Sequence, residues 1–211
     1  MKNVMIFGDS YSTFNGYIPE GYAVYYSEKE KDGTGVTHVE ETWWYPLVQE
    51  NGWNLVLNNS WSGSTIGYTG YNGDCSKTSS FIYRLEKLNE DGFFEKNRID
   101  TVFVFGGTND SWANAPLGEI KLSDHTREEL FSVCPAICCF IGRLKQILPD
   151  ADIVSIINTN IKTEIKNAIK AASDYNGTTY VELSCIDKLC GHPTAQGMTE
   201  IKAQVMAVLE C

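Results

Sequence analysis

Two side chains in this 211-residue sequence could together form a nucleophile and its base. Ser10 lies in the run Gly8-Asp9-Ser10-Tyr11-Ser12, and His192, one of three histidines, lies between Gly191 and Pro193. A serine hydroxyl is a weak nucleophile until a base takes its proton, and histidine is the side chain best suited to that task near neutral pH. The pair predicts attack of Ser10 on the carbonyl carbon of an ester, with His192 as the base.

Three further groups could stabilise the negative charge that such an attack leaves on the carbonyl oxygen. The charge needs hydrogen-bond donors that are fixed in advance. A turn at Ser10 would aim its own N–H outward, the N–H of Gly63 has no side chain to obstruct it, and Asn109 can donate through its amide. Each residue alone has an ordinary explanation, such as a helix cap at Asp9-Ser10 or a turn at Gly63. Their joint position is what favours a site.

The hydrophobic pattern places these residues at the ends of strands. Short β-branched runs alternate with longer helical stretches, which predicts a mainly parallel five-stranded sheet with helices on both faces. The predicted strands are Val4–Phe7, Leu55–Leu57, Thr101–Phe105, Ile153–Ile157 and Thr179–Leu183. The predicted helices are Trp43–Glu50, Ser80–Asn89, Arg127–Leu148, Ile161–Ala172 and Ala195–Glu210, the last with Thr194 as its N-cap. Ligands of such sheets bind outside the carboxyl ends of the strands. We therefore predict one three-layer α/β/α domain over residues 1–211.

Four short blocks resemble those of the SGNH/GDSL hydrolases. The first, Gly8-Asp9-Ser10-Tyr11-Ser12, is similar to the Gly-Asp-Ser-Leu block, with tyrosine in place of leucine. Gly63 is similar to the glycine of the second block, and Gly107-Thr108-Asn109-Asp110 resembles the Gly-x-Asn-Asp block. His192-Pro193 resembles the last block, and Gly197 matches a glycine that often follows it. The four blocks occur in the family's order.

This resemblance implies a flavodoxin-like SGNH hydrolase fold and a carboxylic ester hydrolase that works without a cofactor. It also implies that Ser10 is the nucleophile, that His192 is the base, and that the reaction passes through an acyl-enzyme. The oxyanion hole would consist of the backbone N–H groups of Ser10 and Gly63 and the side chain of Asn109.

The sequence departs from the family at the residue that orients the histidine. The family usually has an aspartate three residues before it, and this sequence has Leu189 there. Asp187 lies two residues earlier, and a local insertion would let it reach the imidazole as the catalytic acid. The alternative is that a backbone carbonyl orients His192, which leaves a Ser–His dyad.

Composition narrows the classes of partner and cofactor. The net charge of −10 disfavours nucleic acid, which needs a basic patch. No apolar run reaches the roughly 20 residues of a membrane span, and no signal peptide is present, so we expect no membrane partner and a cytoplasmic protein; a chain trimmed of its leader would look the same. No spacing typical of a metal or dinucleotide site occurs.

The seven cysteines, Cys211 included, form a poor disulfide framework, with a Cys185–Cys190 bond as the alternative.

Aromatic residues near the blocks suggest a small-molecule or carbohydrate ester as the substrate. Trp61 and Trp112 flank block residues, and together with Asp9 they are the candidate substrate contacts. The tyrosine-rich segment 15–41 is long enough to be a lid or a binding loop. We expect removal of a small acyl group, such as acetyl, from a sugar. A thioesterase or lysophospholipase, an acyltransferase, and a non-catalytic carbohydrate-binding module remain alternatives, and the oligomeric state is open.

Overall fold

A five-stranded parallel sheet forms the centre of the computed structural model, which describes residues 1–210 and leaves out Cys211, the last residue of the predicted domain. The strands are β1 Asn3–Gly8, β2 Asn54–Ser60, β3 Thr69–Gly70, β4 Gly73–Asp74, β5 Thr101–Phe105, β6 Asp152–Ile157, β7 Thr179–Glu182, β8 Lys188–Leu189 and β9 His192–Pro193. The sheet has the order β2-β1-β5-β6-β7, and every neighbouring pair is parallel. The four shorter strands form two hairpins, β3 with β4 and β8 with β9.

Helices cover both faces of this sheet, so the predicted α/β/α plan is confirmed. Their bounds are α1 Trp44–Glu50, α2 Phe81–Glu90, α3 Phe93–Lys96, α4 Thr108–Trp112, α5 Val133–Ile147, α6 Thr163–Asn176 and α7 Ala195–Leu209. Side chains of β1 alternate between the faces, as the pleat of a strand requires. Met5 and Phe7 pack in a core with α2, α5 and α6. Val4 and Ile6 pack in a second core with α1 and α7.

The strand order fixes where a ligand can bind. In parallel sheets a crevice opens where the order reverses, outside the carboxyl ends of the two strands concerned. Here β1 is the first strand in the chain, and in the sheet it lies between β2 and β5. Ser10 follows β1 and Asn109 follows β5. The fold alone therefore brings two of the predicted site residues to the same crevice.

The long predicted helix Arg127–Leu148 begins later than expected. The α-helix starts at Val133, and the residues before it form a turn and a short 3₁₀ segment, Glu129–Phe131. Pro135 accounts for the difference. Proline has no N–H to donate and its ring clashes with the preceding turn, so it is tolerated only in the first turn of a helix.

The cysteines that the structure describes are free thiols. Cys134 and Cys138 are buried in α5, and the alternative Cys185–Cys190 disulfide is not formed. Within residues 1–210, no helix combines the length and the apolar character needed to cross a membrane.

Gly197 in α7 provides a test of how the last helix packs. A β-carbon at this position would overlap the carbonyl oxygen of Asp187, which immediately precedes the β8–β9 hairpin. We expect Gly197→Ala to lower the free energy of unfolding by about 2 kcal/mol, since overpacking costs roughly 1–3 kcal/mol. Urea denaturation followed by circular dichroism measures the change.

Gly142→Ala in α5 is the matched control, because a β-carbon there would make an ordinary 3.5 Å contact with Asn176. It should raise stability by about 0.5 to 1 kcal/mol, through the higher helix propensity of alanine. Equal effects of the two substitutions would contradict the close approach at Gly197.

Candidate active site

Ser10 stands at the carboxyl end of β1, where the chain turns sharply. It opens a single 3₁₀ turn, Ser10–Ser12, and Asp9 caps that turn by accepting a hydrogen bond from the N–H of Tyr11 at 3.0 Å. The Oγ of Ser10 lies 3.0 Å from Nε2 of His192, which is hydrogen-bonding distance. The structure therefore brings the predicted nucleophile and the predicted base together.

His192 is carried by the β8–β9 hairpin. The turn of this hairpin is Cys190-Gly191, with φ of +48° and +81°. Two-residue hairpin turns of this kind need positive φ at both central residues, which glycine adopts freely and cysteine does not. Nδ1 of His192 lies 3.3 Å from the carbonyl oxygen of Cys190. Since a carbonyl oxygen can only accept, Nδ1 carries the hydrogen and Nε2 presents its lone pair to the Ser10 hydroxyl.

Asp187 does not reach the imidazole, which corrects one of the two sequence-based alternatives. Its carboxylate accepts a hydrogen bond from the hydroxyl of Thr194, the N-cap of α7. Leu189, at the family's aspartate position, pairs with His192 across the hairpin. An acid there would be a cross-strand neighbour of the histidine, with β-carbons about 5 Å apart. Because leucine occupies that place, the backbone carbonyl of Cys190 is what holds the imidazole.

Three tyrosines fix the hairpin from the side of the Ser10 turn and the 15–41 segment. Tyr11 donates its hydroxyl hydrogen to the carbonyl of Gly191, and Tyr26 donates to the carbonyl of Pro193 at 2.8 Å. The ring of Tyr25 stacks on the imidazole of His192, with centroids 3.6 Å apart and an angle of 10°. The sequence analysis treated this tyrosine-rich segment as a lid or a binding loop. Nothing in the local sequence shows that they contact a residue more than 160 positions away.

Burial sets the protonation state of His192. Desolvation lowers the pKa of the imidazole below its ordinary value of 6.5, and the hydrogen bond to Cys190 opposes that shift. The neutral form, the one able to accept a proton, is therefore the stable form at neutral pH.

The groups predicted for the oxyanion hole have hydrogens available. Within residues 1–210, the N–H groups of Ser10 and Gly63 donate to no acceptor in the chain. The side-chain nitrogen of Asn109 donates one hydrogen to the carbonyl of Ser64 at 2.9 Å, and its second hydrogen is left over. The hydroxyl of Tyr71 donates to Oδ1 of Asn109 at 3.0 Å, which fixes the orientation of the amide.

Buried Arg84 ties the loops of this site together, and sequence reasoning missed it. Its guanidinium donates to the carbonyl and side-chain oxygens of Asn59, to the carbonyl of Gly8 and to the hydroxyl of Ser64. Burial lowers its pKa to about 9, so it stays charged at neutral pH. A signal was present in the sequence, because Arg84 lies among Phe81 and Leu85 on the apolar face of a predicted helix.

Asp9, the third predicted substrate contact, lies beneath the Ser10 turn. The side chain has no exposed surface, and burial raises its pKa to about 7. One carboxyl oxygen caps the Ser10 turn, and the other has no partner within residues 1–210. Asp110 is also fully buried, with a pKa raised by burial to about 6, and it accepts from the N–H groups of Ile66 and Gly67. Both carboxyl groups shape the loops that carry the site.

The two candidate tryptophans have different neighbours in the site. Trp112 is 42% exposed, and its ring meets the imidazole of His192 edge-on, with centroids 5.8 Å apart. Trp61 packs against Tyr22, with centroids 4.2 Å apart, and it lines a cavity of about 280 Å³ together with Gly63 and Tyr71. A larger cavity of about 610 Å³ lies at the amino ends of β5 and β6, and no serine, cysteine or histidine lines it.

Comparisons with known proteins show what the chain as a whole is similar to. The model of the GDSL-like lipase/acylhydrolase family matches residues 2–209. A crystal structure described as a GDSL-like lipase from Bacteroides uniformis is 41% identical, with a TM-score of 0.91 over 100% of this chain and 96% of the other. One from Bacteroides ovatus is 37% identical, with a TM-score of 0.91 over 100% and 98%. A family two carbohydrate esterase from Clostridium thermocellum is 17% identical, with a TM-score of 0.65 over 99% and 63%. No curated protein matches the sequence.

The chain belongs to the GDSL-like lipase/acylhydrolase family, as the four sequence blocks indicated. It is accordingly a hydrolase that acts on esters.

The lowered pKa of His192 gives a prediction about the pH dependence of hydrolysis. Only neutral imidazole can take the proton of Ser10, so activity is lost as pH falls through the pKa of His192. We expect the acidic limb of kcat/KM for an uncharged ester to have its midpoint below 6.5. Initial rates across the acid range, with circular dichroism to show that the fold persists, measure it. A midpoint above 6.5 would indicate a carboxylate beside the imidazole and contradict the structure.

Proposed function

We propose that the protein hydrolyses carboxylic esters through an acyl-enzyme on Ser10, with His192 as the general base. The observation that carries this proposal is the 3.0 Å contact between Nε2 of His192 and Oγ of Ser10, with Nδ1 held by the carbonyl of Cys190. This geometry leaves the lone pair of Nε2 directed at the hydroxyl that it must deprotonate.

The reaction would proceed in two halves. In the first, Nε2 takes the hydroxyl proton as Oγ of Ser10 bonds to the ester carbonyl carbon, and the carbonyl oxygen becomes negative. When the tetrahedral intermediate collapses, the bond to the alcohol oxygen breaks and His192 returns the proton to that oxygen. In the second half a water molecule takes the place of the alcohol, and His192 takes a proton from the water as its oxygen bonds to the acyl carbon. The second tetrahedral intermediate then collapses, the bond from that carbon to Oγ of Ser10 breaks, and His192 returns the proton to Oγ as the acid is released.

The N–H groups of Ser10 and Gly63 and the free amide hydrogen of Asn109 would stabilise the oxyanion in both halves. They are held before substrate arrives, so no reorganisation is needed during the reaction. The contact of Asn109 with Ser64 and the hydrogen bond from the N–H of Trp61 to the carbonyl of Gly8, at 3.1 Å, bring these donors to the end of β1.

Hydrolysis of p-nitrophenyl acetate by a small set of variants tests the assignment. We expect Ser10→Ala and His192→Ala to lower kcat by at least about 10³-fold, because each removes a member of the unit that makes the nucleophile. Asp187→Asn should stay within about threefold of wild type, because its carboxylate faces Thr194 and asparagine can still accept that hydrogen bond.

A fluorophosphonate probe provides the control, because it should label the wild type and not Ser10→Ala. A large loss in Asp187→Asn would restore the triad interpretation. A wild type with neither hydrolysis nor labelling would reject the mechanism and favour the non-catalytic carbohydrate-binding alternative.

For the substrate, we propose a small acyl group, such as acetyl, on a carbohydrate. The cavity beside Gly63 supports this choice, because its walls combine the aromatic rings of Trp61 and Tyr71 with polar groups that include Asp74 and Ser79. Sugars present apolar C–H faces and hydroxyl groups, and both find partners in such a lining. The choice rests on this cavity, since carbohydrate esterases share the fold at only 17% and 16% identity.

Trp61→Ala tests the sugar preference. We expect KM for an acetylated xylose or glucose to rise roughly 2- to 13-fold, since an aromatic contact contributes about 0.5–1.5 kcal/mol. KM for p-nitrophenyl acetate, which has no sugar, should change less and serves as the internal control. If p-nitrophenyl butyrate or a longer ester is hydrolysed faster than the acetylated sugar, the preference is wrong and a thioesterase or lysophospholipase activity is favoured.

A further inference from the structure

Tyr25 makes the closest ring contact with the proposed base, and its hydroxyl meets a carboxylate. The ring is nearly parallel to the imidazole of His192, at 3.6 Å between centroids. The Tyr25 hydroxyl donates to Oδ2 of Asp32 at 2.6 Å. Burial and this hydrogen bond raise the pKa of Tyr25, so the phenol keeps its hydrogen.

The same tyrosine is fixed to the Ser10 turn by its backbone. The N–H of Tyr25 donates to Oγ1 of Thr13 at 3.0 Å, and Thr13 Oγ1 donates to the carbonyl of Ser10 at 3.0 Å. The Tyr25 side chain is 7% exposed. Tyr25 is thus held at its backbone by Thr13 and at its hydroxyl by Asp32, and its ring can fix the plane of the imidazole relative to Ser10.

We propose that Tyr25 and Asp32 act together as a positioning pair for His192. Through the face of the Tyr25 ring, this pair orients the imidazole and stabilises its charged form, as an orienting carboxylate would do in part. The proposal rests on the proposed function, since His192 must act as the base for its position to matter.

The physical basis is the charge that the imidazole gains during the reaction. When His192 takes the proton of Ser10 it becomes a cation, and the backbone carbonyl of Cys190 offers a dipole in place of a full negative charge. The face of an aromatic ring carries partial negative charge and attracts cations within about 6 Å. A hydrogen bond from the hydroxyl to the carboxylate of Asp32 raises the electron density of the ring, and the carboxylate itself attracts the imidazolium.

Other charged and titratable groups also face His192. Asp32 favours the charged form of the imidazole, and Lys31 and Lys188 disfavour it. Nζ of Lys31 lies 4.4 Å from the centroid of the Tyr25 ring. The full set comprises Lys31 and Asp32 from the 15–41 segment, Tyr11 from the Ser10 turn, and Lys188 and Cys190 from the hairpin. Asp32 and Lys31 should therefore shift the His192 pKa in opposite directions.

Kinetics of Tyr25 variants test the positioning role. We expect Tyr25→Leu to lower kcat for p-nitrophenyl acetate about 2- to 30-fold, the range of a cation–π contact, with little change in KM. Tyr25→Phe keeps the ring and loses only the hydroxyl, so it should recover most of that loss. Tyr17→Leu is the matched control, because Tyr17 lies on the same segment and packs against Phe14, Trp44 and Tyr45, away from the site.

Proton NMR of the imidazoles gives a second measurement that needs no activity. The chain has three histidines, so replacing His38 and His125 assigns the signals. Ring current from Tyr25 should move the His192 signals upfield, and Tyr25→Leu should remove that shift.

Asp32→Asn should lower the titration midpoint of His192, and Lys31→Met should raise it. Asp124→Asn is the control for Asp32→Asn, since the two aspartates have φ of +55° and +58° and asparagine tolerates that conformation.

The outcomes separate this inference from the proposed function. A wild type without esterase activity rejects the proposed function, and NMR still shows whether the pair acts on His192. If the wild type is active and Tyr25→Leu has the same kcat, with or without a higher KM, the positioning role is wrong. Tyr25 would then at most line the substrate pocket. Unchanged His192 signals in both Tyr25→Leu and Asp32→Asn would overturn the inference as well.

Discussion

The rest of the structure supports one contact, between Oγ of Ser10 and Nε2 of His192. The two residues are 182 positions apart in the chain, and these atoms lie 3.0 Å from each other. Small errors in such a distance cost large factors in rate, so both residues need rigid supports. Ser10 is supported by β1, which pairs with a strand on each side, and by a capped turn. His192 has a tight hairpin, which is anchored by three tyrosines and by α7, where Gly197 allows the helix to approach the backbone at Asp187.

Buried polar groups stiffen the loops around this pair. Burying a charge without partners is expensive, so each such group in a folded protein needs hydrogen bonds. Arg84 directs its donors at carbonyl and hydroxyl oxygens at the ends of β1 and β2, and Asp110 receives two N–H groups from the loop that follows Gly63. Polar groups in these loops therefore hold one another, and the donors that we propose for the oxyanion hole keep their positions without substrate.

The replacement of the family's aspartate by Leu189 changes how the base is oriented. The hairpin turn at Cys190-Gly191 brings a backbone carbonyl to Nδ1 of His192, which selects the same tautomer that a carboxylate would select. A carbonyl orients the imidazole, but its partial charge stabilises the imidazolium less than a full carboxylate charge would. The aromatic contacts on the imidazole, with Asp32 behind one of them, lie where that missing charge would act.

The sequence determined the five strands of the central sheet, the main helices between them, the class of fold and the four blocks, because hydrophobic periodicity and short motifs are local properties. The two short hairpins and the short helices α3 and α4 were not predicted. Ser10, Gly63, Asn109 and His192 were all predicted from them. The tertiary structure decided that the Asp187 carboxylate accepts a hydrogen bond from Thr194, the N-cap of α7, and that Asp9 is buried. It also decided that Tyr25 stacks on His192 and that Arg84 joins the loops. These facts depend on distant segments meeting in three dimensions, and no local pattern encodes which side chain meets which.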